Sequence, residues 1–405
     1  MIRVLACHNF YQQPGGEDTS FAMEVEMLQA RGHEVHCYTR HNDEIKDQSR
    51  VSAARDTFWS RQSYRDVKAL IRKHRPDVLH CTNTFPLISP SVYYAAREEG
   101  VAVVQSLRNY RLLCPGAALL RDDKVCEDCL GKALAWRGVI HKCYRESRAG
   151  SAVVAGMLAW HRLRGTWSRA VDMYYALTEN SRQKFVEGGM SANRIAVKPN
   201  FLHPVPQPAD GSGGYAAFVG RLSPEKGVSV LLQAWNRMDV PLPLKIVGDG
   251  PQADEVRRAA ASDSRIQWHG HCPPERVQQI VGDAEFLIIP SIWHEPFGRV
   301  AIEALAAGTP IVASRIGGLT EIIQHGHTGW HFTPGDADDL TQAIQAMHGD
   351  QAASIRHAAR EEFMSKYTEA VNYGQLINIY EAALANAGQS RIPRKDLPAM
   401  KTIDA

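Results

Sequence analysis

The chain has 405 residues, 44% of them hydrophobic and 22% charged, with a formal net charge of +2. That length suits two or three domains of ~150 residues. The near-neutral charge argues against a nucleic-acid partner, and with no apolar run of about 18 residues a transmembrane helix is excluded. The opening MIRVLACHNF has too short an apolar stretch for a secretory signal and has the form of a buried strand. The expectation is a cytoplasmic protein whose eight cysteines are reduced unless they bind metal.

Short apolar runs alternate with helical patterns. Residues 2–8 read as a strand, 19–32 as a helix ending at Gly32, 34–40 as a strand, and 63–76 as a helix stopped by Pro76. A strand at 77–82, a helix near 91–99 and a strand at 101–107 follow. After a long interval come a strand at 172–178, a helix near 180–188 and a strand at 194–200. The stretch PVPQPADGSGG (204–214) breaks the pattern and places a boundary there or just before it. The alternation then restarts, with strands at 216–221, 244–250, 266–270, 285–291 and 310–314. This predicts an α/β protein of two doubly wound Rossmann-like domains, 1–200 and 201–365, with a cleft between them. Residues 388–405 lack periodicity and read as a loose tail.

FVGRLSPEKG (218–227) puts Arg221 and Lys226 around a turn at a strand's carboxyl end, with a helix expected near Lys226. Two cations beside a helix N-terminus suit a diphosphate; two solvated basic residues on a loop are the plainer reading. HEPFGRVAIE (294–303) carries two glutamates. Pro296 keeps Glu295 in the loop before a helix running from about Arg299 to Ala307, and Glu303 falls on its first or second turn. The amides near Phe297, Gly298, Arg299 and Val300 can then take an anion, with a carboxylate either side to accept hydrogen bonds from hydroxyls. A diphosphate flanked by hydroxyl-rich groups is a nucleotide sugar, with Glu303 on the ribose and Glu295 on the transferred sugar. Rival readings are a glycosidase pair, metal ligands, or, for Glu303, an ordinary helix-dipole glutamate.

HEPFGRVAIEALAAGTPIVASRIGGLTEII resembles the E-x7-E block of retaining glycosyltransferases of family 4, which have the GT-B fold. FVGRLSPEKG, IVGDGP and GHTGWHFTPGD (326–336) match three further blocks of that family in the right order. The resemblance implies that Arg221 and Lys226 neutralise the departing diphosphate and that Glu303 binds ribose hydroxyls. It puts Glu295 on a hydroxyl of the donor sugar, the 297–300 amides on the phosphate, and Gly248 and the His271 region near the base. It also implies that residues 366–387 form a helix crossing back to the first domain.

In QQPGGED (12–18), Gly15 and Gly16 permit either a plain turn or a loop whose amides touch the donor phosphate; the family has a glycine-rich loop there. SLRNYRLLCP (106–115) follows a strand facing the cleft. Many relatives carry histidine where this chain has Arg108, which counts against a histidine-based role there; the expectation for Arg108 is a sugar hydroxyl or phosphate contact, with Asn109 or Arg111 as alternatives. His80 is read as a structural histidine.

Cys114, Cys126, Cys129 and Cys143 form C-x11-C-x2-C-x13-C inside a long insert at about 109–147 that shows few regular elements. The C-x2-C pair has knuckle spacing, so a closed, non-catalytic zinc site is expected, with an iron–sulfur cluster or free thiols as alternatives. Residues 130–170 hold eight Lys or Arg against one acid, together with SAVVAGMLAW (151–160) and Trp136, Trp160 and Trp167. That mixture suits an anionic membrane surface; a buried helix with solvated arginines is the other reading.

The reading is a retaining glycosyltransferase of hexosyltransferase type. Its first domain would hold a saccharide or lipid-linked saccharide acceptor in surface polysaccharide assembly, and its second a nucleotide diphosphate sugar. No divalent metal is expected at the reacting centre. A nucleotide-sugar epimerase of the same fold and a non-catalytic sugar-nucleotide-binding protein are the alternatives.

Overall fold

The computed structural model describes residues 1–13 and 15–389; beyond Gln389 the expected tail lies outside the described residues. The chain begins with β1 (Arg3–Phe10), β2 (Glu34–His41), β3 (Val78–Asn83) and β4 (Ala102–Leu107). A small hairpin of β5 (Leu120–Arg121) and β6 (Lys124–Val125) lies within the insert. Then β7 (Met173–Ala176) and β8 (Ile195–Val197) complete a six-stranded sheet in the order β2-β1-β3-β4-β7-β8. A second six-stranded sheet contains β9 (Ala216–Val219), β10 (Leu244–Val247), β11 (Ile266–Trp268), β12 (Phe286–Ile289), β13 (Ile311–Ser314) and β14 (Gly329–Phe332). Its order is β11-β10-β9-β12-β13-β14.

All pairs in both large sheets are parallel. Parallel strands need crossovers, here helices, which cover both faces. That is why β3, β4, β12 and β13 are buried along their whole length rather than on alternate residues. Among the features not read from the sequence are the helix Arg50–Phe58 and strand β14, which lies inside the GHTGWHFTPGD motif.

Strand order reverses between β1 and β3 in the first sheet and between β9 and β12 in the second. Connections leave such a pair toward opposite faces, which opens a crevice at the carboxyl ends of the strands. The final helix, Glu369–Gln389, packs on β4 and β7 of the first sheet.

Where that helix meets the first sheet, a charge cluster is sealed from water. Glu24 Oε1 accepts from Lys198 Nζ at 2.7 Å and from Arg108 Nη2 at 2.8 Å. Tyr175 donates to the same carboxylate, Lys198 also reaches Asn372 Oδ1 at 2.9 Å, and His80 bonds Tyr380 and Tyr175. Burial opposes ionisation of Glu24, but Lys198 and Arg108 outweigh it and hold the carboxyl at about 2. The cluster joins the first helix, β3, β7, the segment after β8 and the last helix.

Two buried histidines make stability depend on pH. Burial pushes His80 and His161 from 6.5 down to about 4. His161 bonds Thr166 Oγ1 and the Phe58 carbonyl, both at 2.9 Å; the carbonyl favours the proton, but burial outweighs it. The unfolded chain therefore takes up these protons first, and stability is lost as pH falls from 6.5 toward about 4. Each histidine contributes on the order of 2–3 kcal/mol over that window. Urea midpoints measured across it should fall with pH, with a shallower slope in His161→Gln. A pH-independent midpoint would contradict the assignment.

Candidate active site

Three loops at the carboxyl ends of β9, β10 and β12 meet beside the crevice of the second sheet. After β9 the chain makes a 3-10 turn at Pro224–Lys226, and the following helix starts at Val228, two residues later than expected. Gly248, just past β10, has φ +138°, and a Cβ there would collide with the Gly220 carbonyl. Only glycine lets these two loops touch.

The loop after β12 buries Glu295, which is 7% exposed. Its Oε2 accepts from Lys226 Nζ at 2.7 Å, Trp293 Nε1 at 3.0 Å and Ser291 Oγ at 3.2 Å. All three bonds fall on one oxygen, and Oε1 has no hydrogen-bond partner among the described residues. The chain then turns through Gly298, at φ +86°, into the helix Arg299–Ala307, which has no side-chain cap. Among the described residues the amides of Phe297, Gly298, Arg299 and Val300 find no acceptor in the protein. Four free donors at a helix start form an anion site.

Glu303 lies in this helix and accepts from Arg299 Nε at 3.0 Å. Burial raises its carboxyl above the usual range, and Arg299 opposes that shift. Arg221 is exposed on the β9 loop and His271 is exposed after β11. The sheet order puts Gly248 and His271 on the β10–β11 side of the anion site and Glu303 on the β12 side.

The first half closes the crevice. A Cβ on Gly16 would stand 4.0 Å from Arg299 Cδ, so the glycine loop faces the start of the Arg299–Ala307 helix. Asp18 fixes that loop: its Oδ2 accepts from the Gly15 amide at 2.9 Å and its Oδ1 bonds His8 Nε2 at 2.7 Å. Neither His8 nor Asp18 was singled out from the sequence. The available signal was an acid three residues into a helix after Gly-Gly, half of a capping box. Glu17 was missed as well; it joins Tyr11 at 2.9 Å and Asn109 Nδ2 at 2.7 Å.

Arg108, expected to contact a sugar or phosphate, lies in the charge cluster. It is 7% exposed and is bonded to Glu24 and to Asn200 Oδ1, the latter at 2.6 Å. Its guanidinium points into the charge cluster, where the Glu24 carboxylate compensates its charge. Asn109, one residue on, holds Glu17.

Direct bonds lock the halves together. Thr178 Oγ1 donates to the Pro296 carbonyl at 3.0 Å, and Glu321 caps the amides of Glu179 and Asn180. Glu127, inside the C-E-D-C knuckle, pairs with His294 Nε2 at 3.1 Å and Lys184 Nζ at 2.8 Å. The cysteine insert therefore touches the residue next to Glu295.

Residues 203–365 match the family described as glycosyl transferases group 1, and residues 15–200 match the glycosyl transferase 4-like domain. The chain belongs to the family 4 type of glycosyltransferases. It is 34% identical to the glycogen synthase of Mycobacterium tuberculosis over 192 residues, 45% of each chain. It is 24% identical over 264 residues to an uncharacterised 42.6 kDa protein from the cps region of Klebsiella pneumoniae, covering 64% of this chain and 62% of that protein. The chain thus spans about half to three-fifths of these curated relatives. Among solved structures, the sucrose-phosphate synthase of Thermosynechococcus elongatus aligns with TM-score 0.69 at 17% identity, covering 95% of this chain and 99% of that one. Anabaena HepE in complex with UDP-glucose aligns with TM-score 0.64 at 16% identity, covering 94% and 100%. These likenesses identify the fold as GT-B.

In this glycosyltransferase the four insert cysteines share one locus. A Cβ on Gly116 would lie 3.7 Å from Cys114 Sγ and 3.6 Å from Cys143 Cβ. Burial raises Cys129 and takes Cys143 up to about 11, with the neighbouring thiols adding to both shifts. The expected closed cage is not preformed. Among the described residues, the one set of three or more His, Cys, Asp or Glu whose ligand atoms all lie within 4.8 Å of one another is Glu34, His36 and His74.

Of the two readings of SAVVAGMLAW, the structure takes the buried helix. Val154, Ala155, Met157 and Leu158 are buried, because the helix Arg148–Leu163 packs its apolar stripe inward. The exposed apolar residues of this region are Leu134, Trp136, Ile140 and Leu163. No described helix is long and apolar enough to cross a membrane.

Proposed function

We propose that the protein transfers a hexose, with retention of configuration, from a nucleotide diphosphate sugar to a saccharide or lipid-linked saccharide. The product would enter surface polysaccharide assembly at the cytoplasmic face of an anionic membrane. The observation that carries this reading is the meeting of Lys226, Glu295 and the unbonded amides of Phe297–Val300 at one strand switch point, opposite Gly16. The diphosphate sits on those amides between Lys226 and Arg221. Glu303 exchanges Arg299 for ribose hydroxyls, Glu295 Oε1 takes a sugar hydroxyl, and the base lies toward Gly248 and His271. UDP-glucose, held by the Anabaena relative of the same fold, is the first donor to try.

In the reaction the bond from the sugar's anomeric carbon to the diphosphate breaks. The acceptor oxygen bonds that carbon on the same face, and the acceptor proton passes to the leaving phosphate oxygen. Charge grows on the diphosphate, where fixed cations and amides stabilise it without solvent reorganisation. Arg221 and Lys226 supply the charge that a divalent ion supplies elsewhere.

Thermal shift across a panel of nucleotide sugars should find a ligand that raises the melting temperature. Glu303→Ala should weaken that ligand by about tenfold. Unchanged binding in Glu303→Ala, or an epimerised nucleotide sugar formed without acceptor, would remove this assignment.

The cysteine locus fits a structural metal by chemistry: four soft thiols, two of them on a knuckle. We infer that zinc draws Cys114, Cys126, Cys129 and Cys143 together and steadies the insert around Glu127. Metal analysis of freshly purified protein should give close to one zinc per chain. Protein free of zinc and iron that melts cooperatively at the same temperature counts against it.

A further inference from the structure

The insert and its neighbours line a second cavity, open on one side, of about 700 Å³. Leu113, Trp167, Tyr174 and Met190 form apolar walls, and Arg162 and Arg194 line it as well. Neither arginine has a carboxylate within 4.0 Å among the described residues. Arg162 donates to the Lys132 carbonyl, and Arg194 Nη1 donates to the Ser168 and Val171 carbonyls at 2.7 and 3.2 Å. Asp172, the acid whose field reaches Arg194, is already bound by Arg97 at 3.0 Å and by the Val103 amide at 2.8 Å. Trp167 Nε1 is buried without an acceptor. The cavity thus combines hydrocarbon walls with two cations that have no carboxylate in contact among the described residues.

Its rim is apolar where solvent should make it polar. Ala133 and Arg162 line the cavity, and their chain neighbours Leu134 and Leu163 are 49% and 84% exposed. Trp136 and Ile140, on one face of the short helix Trp136–Ile140, are 52% and 53% exposed. Lys132, Arg137, Lys142 and Arg164, each within two chain positions of one of these apolar residues, are exposed, and Arg137 also pairs with Asp128 at 3.2 Å. Exposed apolar groups with exposed cations beside them in the chain match the boundary between acyl chains and anionic headgroups.

We propose that this cavity seats one phosphate-bearing lipid. The phosphate takes Arg162 and Arg194, the hydrocarbon lies along Trp167, Tyr174 and Met190, and the Leu134–Ile140 edge with Leu163 dips into the bilayer. The choice of ligand rests on the membrane-face reading above; the donor site is independent of it. The lipid is either a bilayer phospholipid or a lipid phosphate carrying the acceptor, and the two share the chemistry of a phosphate ester on a hydrocarbon.

Titration calorimetry of the full chain with dihexanoyl phosphatidic acid below its micellar concentration should show one saturable site, with no heat from inorganic phosphate. Arg162→Gln combined with Arg194→Gln should weaken binding about tenfold or more, while the thermal shift by nucleotide sugar stays as in the parent. Farnesyl phosphate binding more tightly than phosphatidic acid would identify an acceptor-type lipid; equal affinity would identify a bilayer headgroup. No saturable site, or equal affinity in the double variant, overturns the proposal. Sedimentation with phosphatidylcholine vesicles, with and without phosphatidylglycerol, separates the two readings. A chain that binds the soluble lipid but neither vesicle loses the membrane face and keeps the cavity; one that binds vesicles but not the soluble lipid loses the cavity.

Discussion

Lys226→Ala is expected to lower kcat by about 10²–10³-fold at saturating donor, the usual cost of deleting one fixed group that stabilises developing charge. Lys226 is the cation that the structure holds in place: its Nζ is 2.7 Å from Glu295 Oε2 and 5.4 Å from the Trp293 ring centre. On the proposed reading a bound diphosphate places the ammonium between two anions, and its pull on the leaving oxygens is strongest as the anomeric bond breaks. Affinity for the ground-state donor should fall far less than kcat. Alanine also leaves the buried Glu295 without its cation, so Lys226→Gln serves as a second variant that still donates to the carboxylate. If both variants keep turnover within about twofold of the parent while remaining folded, electrostatic stabilisation by this loop is not the mechanism.

Glu24→Gln should cost about 3–5 kcal/mol of stability, the range for unpairing buried charge. A neutral amide cannot compensate both Lys198 and Arg108, which are 0% and 2% exposed at the side chain. The cluster ties the last helix to the first sheet, so the variant should unfold earlier in urea. At pH 7 the loss is complete, because the wild-type carboxyl stays ionised down to about 2. The parent's advantage from this group is present above the ordinary carboxyl range and fades as pH drops through about 2. A variant with an unchanged urea midpoint would show that the two cations find compensation elsewhere.

The insert is where reading residues in isolation misled most. SAVVAGMLAW reads equally well as a surface anchor or a core helix, because composition does not say which neighbour covers a stripe. The structure covers it and leaves Leu134, Trp136, Ile140 and Leu163 outside, residues that no periodic pattern marks. Arg108 misled for a related reason. Its place after β4 points it at the cleft in a strand-end reading, but Glu24, 84 positions away, takes the guanidinium inward. Glu127 carries no local sign that it meets His294 across the cleft.

What the sequence determined alone was set by local rules. Apolar runs long enough to be buried on both faces, separated by helical patterns, permit only parallel sheets with crossovers. Pro296 and Gly298 force a break and then a helix start, and the ordered blocks of the second half carried the family. Tertiary structure alone decided which charges are compensated, which thiols meet and which apolar groups stay wet. Each of those depends on partners brought together from far apart in the chain, and a buried charge or an exposed leucine is defined by its surroundings rather than by its own residue type.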